Sequence, residues 1–315
     1  MKRRLLLAAI FAGLLAPLPG ALFGAEVAGL AKGEAPPSLY ELTARSDLVV
    51  LARVISGSLK LAQVQVREVF RGSVIPGARL QIAFRDFNMS LGKENRIVFD
   101  DGESELLFLI PEVDAEGKRK GEDRYTLFRG RFGRFQLPRE GGDVYRDAVR
   151  EFADLAALKD HRELFKRLRA LLVNPNPVLV DAGLQEVLKL DLVDRDMVQQ
   201  ILRFSRDPAP GRRIAAMRLA TRLFTGIRNK AEESELQDAL LPPLAVLARN
   251  DPDEQVRVES VLALGAWGGE AVRETLREIA DQDPAQTVRY QARVILLKAG
   301  GGTRPSPKPG GHPER

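Results

Sequence analysis

The side chains that could carry covalent or metal chemistry are few, and they stand far apart. The 315 residues contain two histidines, His161 and His312, and no cysteine. Neither histidine has a second ligand at the short helical spacing of a zinc motif. Without cysteine there are no thiolate sites, no disulfides and no sulfur nucleophile. No nucleophile elbow, phosphate loop or zincin pattern occurs. Carboxylates do concentrate in "FDDGESE", residues 99–105, where they could attract a cation. The stretch lacks the longer ligand spacing of a calcium loop, so a polar hairpin turn accounts for it. The expectation is therefore no catalytic residue, no metal and no cofactor. Only a fold could assemble distant carboxylates into an acid–base pair, so a hydrolase or lyase with a site between the two halves is an alternative.

What recurs is a carboxylate and a guanidinium six residues apart. "DPDEQVRVESVLALGAWG" begins at Asp251, and "DPAQTVRYQARVILLKAG" at Asp283. Aligning the Asx-Pro pairs gives Asn174-Pro175, Asp207-Pro208, Asp251-Pro252 and Asp283-Pro284, followed at the sixth residue by Val180, Arg213, Arg257 and Arg289. Asp before Pro favours a helix start, because the carboxylate accepts from free N–H groups and Pro lacks one. Glu254 and Gln286, three residues after their Asp, suggest capping boxes. Between the phrases lie "RDMVQQILRFS", "LQDALLPPLAVLA" and "AVRETLREIA", each helical in period. Helix pairs returning every thirty to forty-five residues predict a stacked α-solenoid.

Asp251, Pro252, Val256, Arg257, Ala263 and Leu264, repeated as Asp283, Pro284, Val288, Arg289, Ile295 and Leu296, carry a resemblance to HEAT-repeat (armadillo-like) proteins. The resemblance implies about four helix pairs and a ladder in which Asp207, Asp251 and Asp283 alternate with Arg213, Arg257 and Arg289. It also implies a concave face lined by the second helices that binds a protein partner, with Arg218, Arg222, Gln255 and Glu259 as outward contacts. The first unit departs from the pattern at Asn174 and Val180, as an atypical end repeat would. The second has Arg212 in place of Val, and "TGIRNKAEESE" reads as an inserted polar loop.

The preceding part has the period of β-structure. "DLVVLARVIS", "KLAQVQVREVF", "RLQIAF", "SELLFLIPE", "RYTLFRG" and "GRFQLP" are six strand-length runs, a pattern for a small barrel or sandwich. With "SLYELTARS" as a leading helix, the order of phrases resembles a small OB-like barrel module of exported bacterial proteins. Barrels of that kind present aromatic platforms, here Phe128, Phe132 and Phe135, although alternating aromatics also build cores. This leaves a glycan- or peptide-binding β-domain, with the helices as spacer, as a further alternative. From Val144 the period turns helical, and Asp160 with Glu163 suggests a capping-box variant that splits the segment in two. The expected fold is thus multidomain, a small all-β barrel or sandwich followed by HEAT-like helices.

The ends set the compartment. Lys2, Arg3 and Arg4 precede "LLLAAIFAGLLAPL" and small residues up to Ala25, the layout of a cleaved secretory signal peptide that is too short for a span. The expected organisation is signal 1–25, linker 26–37, β-domain 38–140, helical repeats 143–299 and a disordered tail 300–315. The formal net charge of +5 resides mostly in the signal and the tail. No concentrated basic face is left for nucleic acid, and no stable membrane insertion is expected after cleavage. Together these features predict an exported, periplasmic or extracellular, non-enzymatic scaffold with a protein partner.

Overall fold

Strict alternation over a strand buries every second residue, and "LVVLARVISG" does so with Val50, Ala52 and Val54. A computed structural model describes residues 36–58, 60–84, 99–226 and 230–300. The expected signal segment, most of the expected linker and the tail from residue 301 lie outside the described residues, as does His312. The chain divides into two compact units, residues 24–187 and 188–315.

In the first unit, β1 (Leu48–Gly57) pairs antiparallel with β2 (Leu61–Arg71), which pairs with β3 (Arg79–Ala83). β3 runs parallel to β5 (Arg124–Leu127), β5 pairs with β4 (Ser104–Pro111), and β4 returns to β1. The order β1-β2-β3-β5-β4-β1 closes a five-stranded barrel, which settles barrel over sandwich. β6 (Arg134–Gln136) continues the edge of β4 that β5 leaves free. Register shifts between Val49 and Val50, Leu51 and Ala52, and Val54 and Ser56 mark bulges that let β1 curl round the barrel. The interior holds Val50, Val54, Val64, Val66, Ile82, Leu107 and Leu109. Gly133, before β6, is obligatory: a Cβ there would stand 2.3 Å from the Phe128 carbonyl oxygen.

Val49, Leu106 and Phe108 face out of the barrel and are also fully buried. Helices cover the unit. α1 (Leu39–Arg45) and α2 (Gly142–Ala156) meet through Tyr40 and Phe152, edge to face at 5.9 Å, and Tyr145 of α2 stacks on Phe135 at 4.8 Å. Arg146 and Arg150 of α2 both donate to Glu68 on β2. Burial pushes the Glu68 carboxyl up, but the bonds from Arg150 and Arg146 outweigh it and hold the group below its usual range. α3 (His161–Ala170) starts at Asp160, whose side chain caps Arg162 N–H at 2.8 Å, and α4 (Pro177–Lys189) follows. Ser38 caps α1 and donates to buried Glu186 of α4, so α4 is tied to the start of the same unit.

The second unit contains α5 (Val198–Phe204), α6 (Pro210–Gly226), α7 (Lys230–Asn250), α8 (Glu254–Trp267), α9 (Glu270–Gln282) and α10 (Gln286–Gly300). α6, α8 and α10 lie side by side in one layer, and α5, α7 and α9 pack behind them as a second. These are three helix pairs. The inserted "TGIRNKAEESE" is not a loop throughout, since from Lys230 onward it forms the first turns of α7. Gly265 lets α8 and α10 approach, because a Cβ there would lie 2.7 Å from Ile295. Among the described residues no helix is long and apolar enough to cross a membrane.

Candidate interaction surface of the helical repeats

Each Asp-Pro phrase makes the same local turn. The Asp251 carboxylate accepts from Asp253 N–H at 2.9 Å, Asp283 from Ala285 N–H at 2.8 Å, and Asp207 from Ala209 N–H at 2.9 Å. Asn174 does likewise with Asn176 N–H at 2.8 Å. These are Asx turns that start three residues ahead of the first helical residue, not helix caps. α8 is capped by Asp253, which accepts from Val256 N–H at 3.0 Å. The expected capping boxes at Glu254 and Gln286 therefore do not form, because Glu254 is already the first helical residue of α8 and Gln286 of α10.

With one carboxylate oxygen held by the turn, both oxygens still face the preceding helix pair. Arg213 donates from Nε and Nη2 to Asp251 at 2.8 and 2.9 Å, a two-pronged bond from α6 to the start of α8. Arg257 repeats it onto Asp283, at 2.9 and 3.3 Å. The third nitrogen is anchored at home, Arg213 Nη1 to the Asp207 and Pro208 carbonyls and Arg257 Nη1 to the Asp251 carbonyl. Asp251, Asp283 and Arg257 are buried. Buried charges of this kind are tolerable only with complete hydrogen bonding, which the turn and the fork supply.

Asp207 is the first aspartate of the series. Arg212, the residue that breaks the pattern, bonds Asp207 from within its own helix at 3.3 Å. Arg289 ends the series. Its Nη1 makes the usual home bonds to the Asp283 and Pro284 carbonyls, and among the described residues no carboxylate meets its Nε and Nη2.

Arg218, Gln255 and Glu259 come together across α6 and α8. Arg218 donates to Glu259 at 2.7 and 3.0 Å, and Gln255 donates to the same oxygen at 3.2 Å. Glu259 is buried and so is not an outward contact, whereas the Arg218 side chain stays 53 % exposed. Arg222, one turn on, is exposed and stands 3.8 Å from Asp191. In the rear layer Arg249 of α7 reaches Glu278 and Thr275 of α9, a rung the sequence reading missed because neither spacing nor phrase repeats.

The other sequence candidates are occupied locally. Asp101 of the acidic stretch accepts from Gly57 N–H, and Glu105 is fully buried under a two-pronged bond from Arg134. Burial raises the Glu105 carboxyl, and Arg134 pulls it back only in part. The Arg45 and Arg129 guanidinium groups lie 5.6 and 6.0 Å from the Phe128 ring centre, Arg131 lies over Phe132, and Phe135 packs against Tyr145, so the three rings form no bare strip. His161 is exposed at the first turn of α3, beside Phe165. Among the described residues no group of three or more His, Asp or Glu is placed to hold a metal ion.

Comparison with curated proteins gives no match. A family model described as HEAT repeats matches residues 196–296, the span from just before α5 into α10. The two-layer stack and its arginine–aspartate rungs occupy that span, so the helical part of this chain is similar to HEAT repeats in sequence and in helix arrangement.

Proposed function

We propose that the protein is an exported, non-enzymatic interaction scaffold that holds a protein partner on the α6–α8 side of its repeats. The observation that carries this is the state of Arg218 and Arg222. Both side chains are more than half exposed; Glu259 holds Arg218 by two hydrogen bonds, and Asp191 stands 3.8 Å from Arg222. A cation held in place loses little side-chain entropy when a partner carboxylate binds. HEAT repeats are in general protein-interaction modules, and stacked repeats offer extended surfaces for that purpose. Export rests on the positive n-region and apolar run at the start of the sequence.

The test is affinity capture from envelope extract by the full chain, compared with Arg218→Gln/Arg222→Gln. Loss of a specific captured protein, with Trp267 fluorescence unchanged, supports the reading. Equal capture by both would remove these residues from the binding surface.

A further inference from the structure

Of the described helices, α10 keeps two large side chains on the stripe that its predecessor uses for stacking. Matching the rungs aligns Arg213, Arg257 and Arg289, and with them Ile214, Val258 and Tyr290; Met217, Val261 and Arg293; Thr221, Gly265 and Leu297. Positions three and seven residues apart share one helical stripe. On α8 this stripe is buried, with Val258 at 7 % and Val261 at 0 %, and its Gly265 lies against Ile295 of α10. On α10 the same stripe holds Tyr290 at 63 % and Leu297 at 75 % exposure. Stacked repeats bury such side chains against a neighbour. Here Tyr290 and Leu297, with exposed Arg293 between them, stand beside an arginine fork.

Arg289 is set as its two predecessors are. Its Nη1 is fixed to the carbonyls of its own Asp-Pro phrase, as is that of Arg213. In both earlier repeats that pose directs Nε and Nη2 onto an aspartate of the next repeat. The same two donors of Arg289 therefore form a preorganised receptor for a carboxylate at a helix start.

Charge decides the occupant. α10 carries Arg289, Arg293 and Lys298 and no carboxylate. A second copy brought to this face would set cation against cation, which disfavours self-association.

We propose that the open face of α10 docks an acidic amphipathic helix of another protein, whose leading carboxylate takes the Arg289 fork while its apolar stripe covers Tyr290 and Leu297. This surface is distinct from the Arg218–Arg222 side and goes beyond the function proposed above.

The probe is a fluorescent, side-chain-stapled peptide copying residues 251–267, an acidic helix whose Asp251 is already read by Arg213 in this chain. Titrated by anisotropy against the full chain, it should bind, and Asp251→Asn in the peptide should weaken binding at least about tenfold. Arg289→Gln and Arg289→Lys in the chain should each do the same, because lysine keeps the charge but not the fork. Leu297→Ser should weaken binding too, while Arg218→Gln should leave it unchanged, which separates this proposal from failure of the other surface. No binding at about 1 mM peptide, or binding indifferent to Arg289, overturns the proposal. So does a concentration-dependent dimer, seen by sedimentation velocity, that Leu297→Ser abolishes, because the occupant would then be a second copy.

Discussion

The Arg257–Asp283 rung gives the most exacting test of how the repeats hold together. Arg257→Gln removes both prongs and strands the Asp283 carboxylate, which is 2 % exposed. Breaking one side of a buried pair costs about 3–5 kcal/mol, most of it the unpaired charge. Asp283→Asn keeps an oxygen for the Ala285 N–H, so the turn survives, but it strands the guanidinium instead. In the double variant no buried charge is left, and the loss should fall well short of the sum, with a coupling of about 2 kcal/mol or more. The control cycle pairs Asp283→Asn with Arg289→Gln. Arg289 meets only the main-chain carbonyl of Asp283, so that coupling should stay within about 0.5 kcal/mol. Urea unfolding of the full chain can be followed by fluorescence of Trp267, the single tryptophan, which lies edge-on to Phe224 at 4.7 Å and so reports the helical unit. A coupling below about 0.5 kcal/mol for Arg257 and Asp283 would refute the rung as a stabilising element. The effect should also persist at high salt, because a buried pair is little screened.

The barrel unit should show two opposite pH dependences by calorimetry. Glu105 is raised on folding, so its contribution is present below its unfolded value near about 4.3 and lost as pH rises through the folded value; the wild-type Tm advantage over Glu105→Gln should shrink from acid to neutral pH, and a widening gap would reverse the assignment. Glu68 is lowered on folding, so its contribution is present above that value and lost as pH falls through the folded one; the advantage over Glu68→Gln should shrink toward acid pH instead. Cutting the chain after Val187 should give a first fragment that melts cooperatively, whereas one ending at residue 142 loses the Tyr40–Phe152 and Phe135–Tyr145 contacts and should melt without cooperativity by circular dichroism. Export predicts that protein recovered from an envelope fraction starts between about residues 20 and 32 by N-terminal sequencing; an intact Met1 on cytosolic protein would contradict it.

The six strands were legible because alternation is local, written into runs such as Leu61, Ala62, Val64 and Val66. Their order was not, since parallel pairing of β3 with β5 closes the barrel between segments that share no pattern. The Asp-Pro phrases announced the helix pairs but misnamed their own first residue. An aspartate three residues ahead of a helix and one at its cap read alike, and Asp253 supplied the difference. Arg218 and Glu259 were both singled out, yet their bond spans 41 residues and only packing brings them together. The same holds for Ser38 and Glu186, which bind α4 to the unit that contains the barrel. Arg212 reads as a flaw in the repeat, yet it is the side chain that bonds Asp207.

The rungs give the array a direction, with consequences for how its length can change. Each repeat contributes one acceptor, its Asp, to the pair before it and one donor, its Arg, to the pair after it. A tandem copy of residues 251–282 inserted after Gln282 would arrive with both halves of its connections, Asp to receive Arg257 and Arg to reach Asp283. No neighbouring residue would have to change. Duplication can therefore lengthen this molecule one unit at a time, and the variable distance between phrases, 44 residues in one interval and 32 in the next, shows how little the joints ask of the chain that links them.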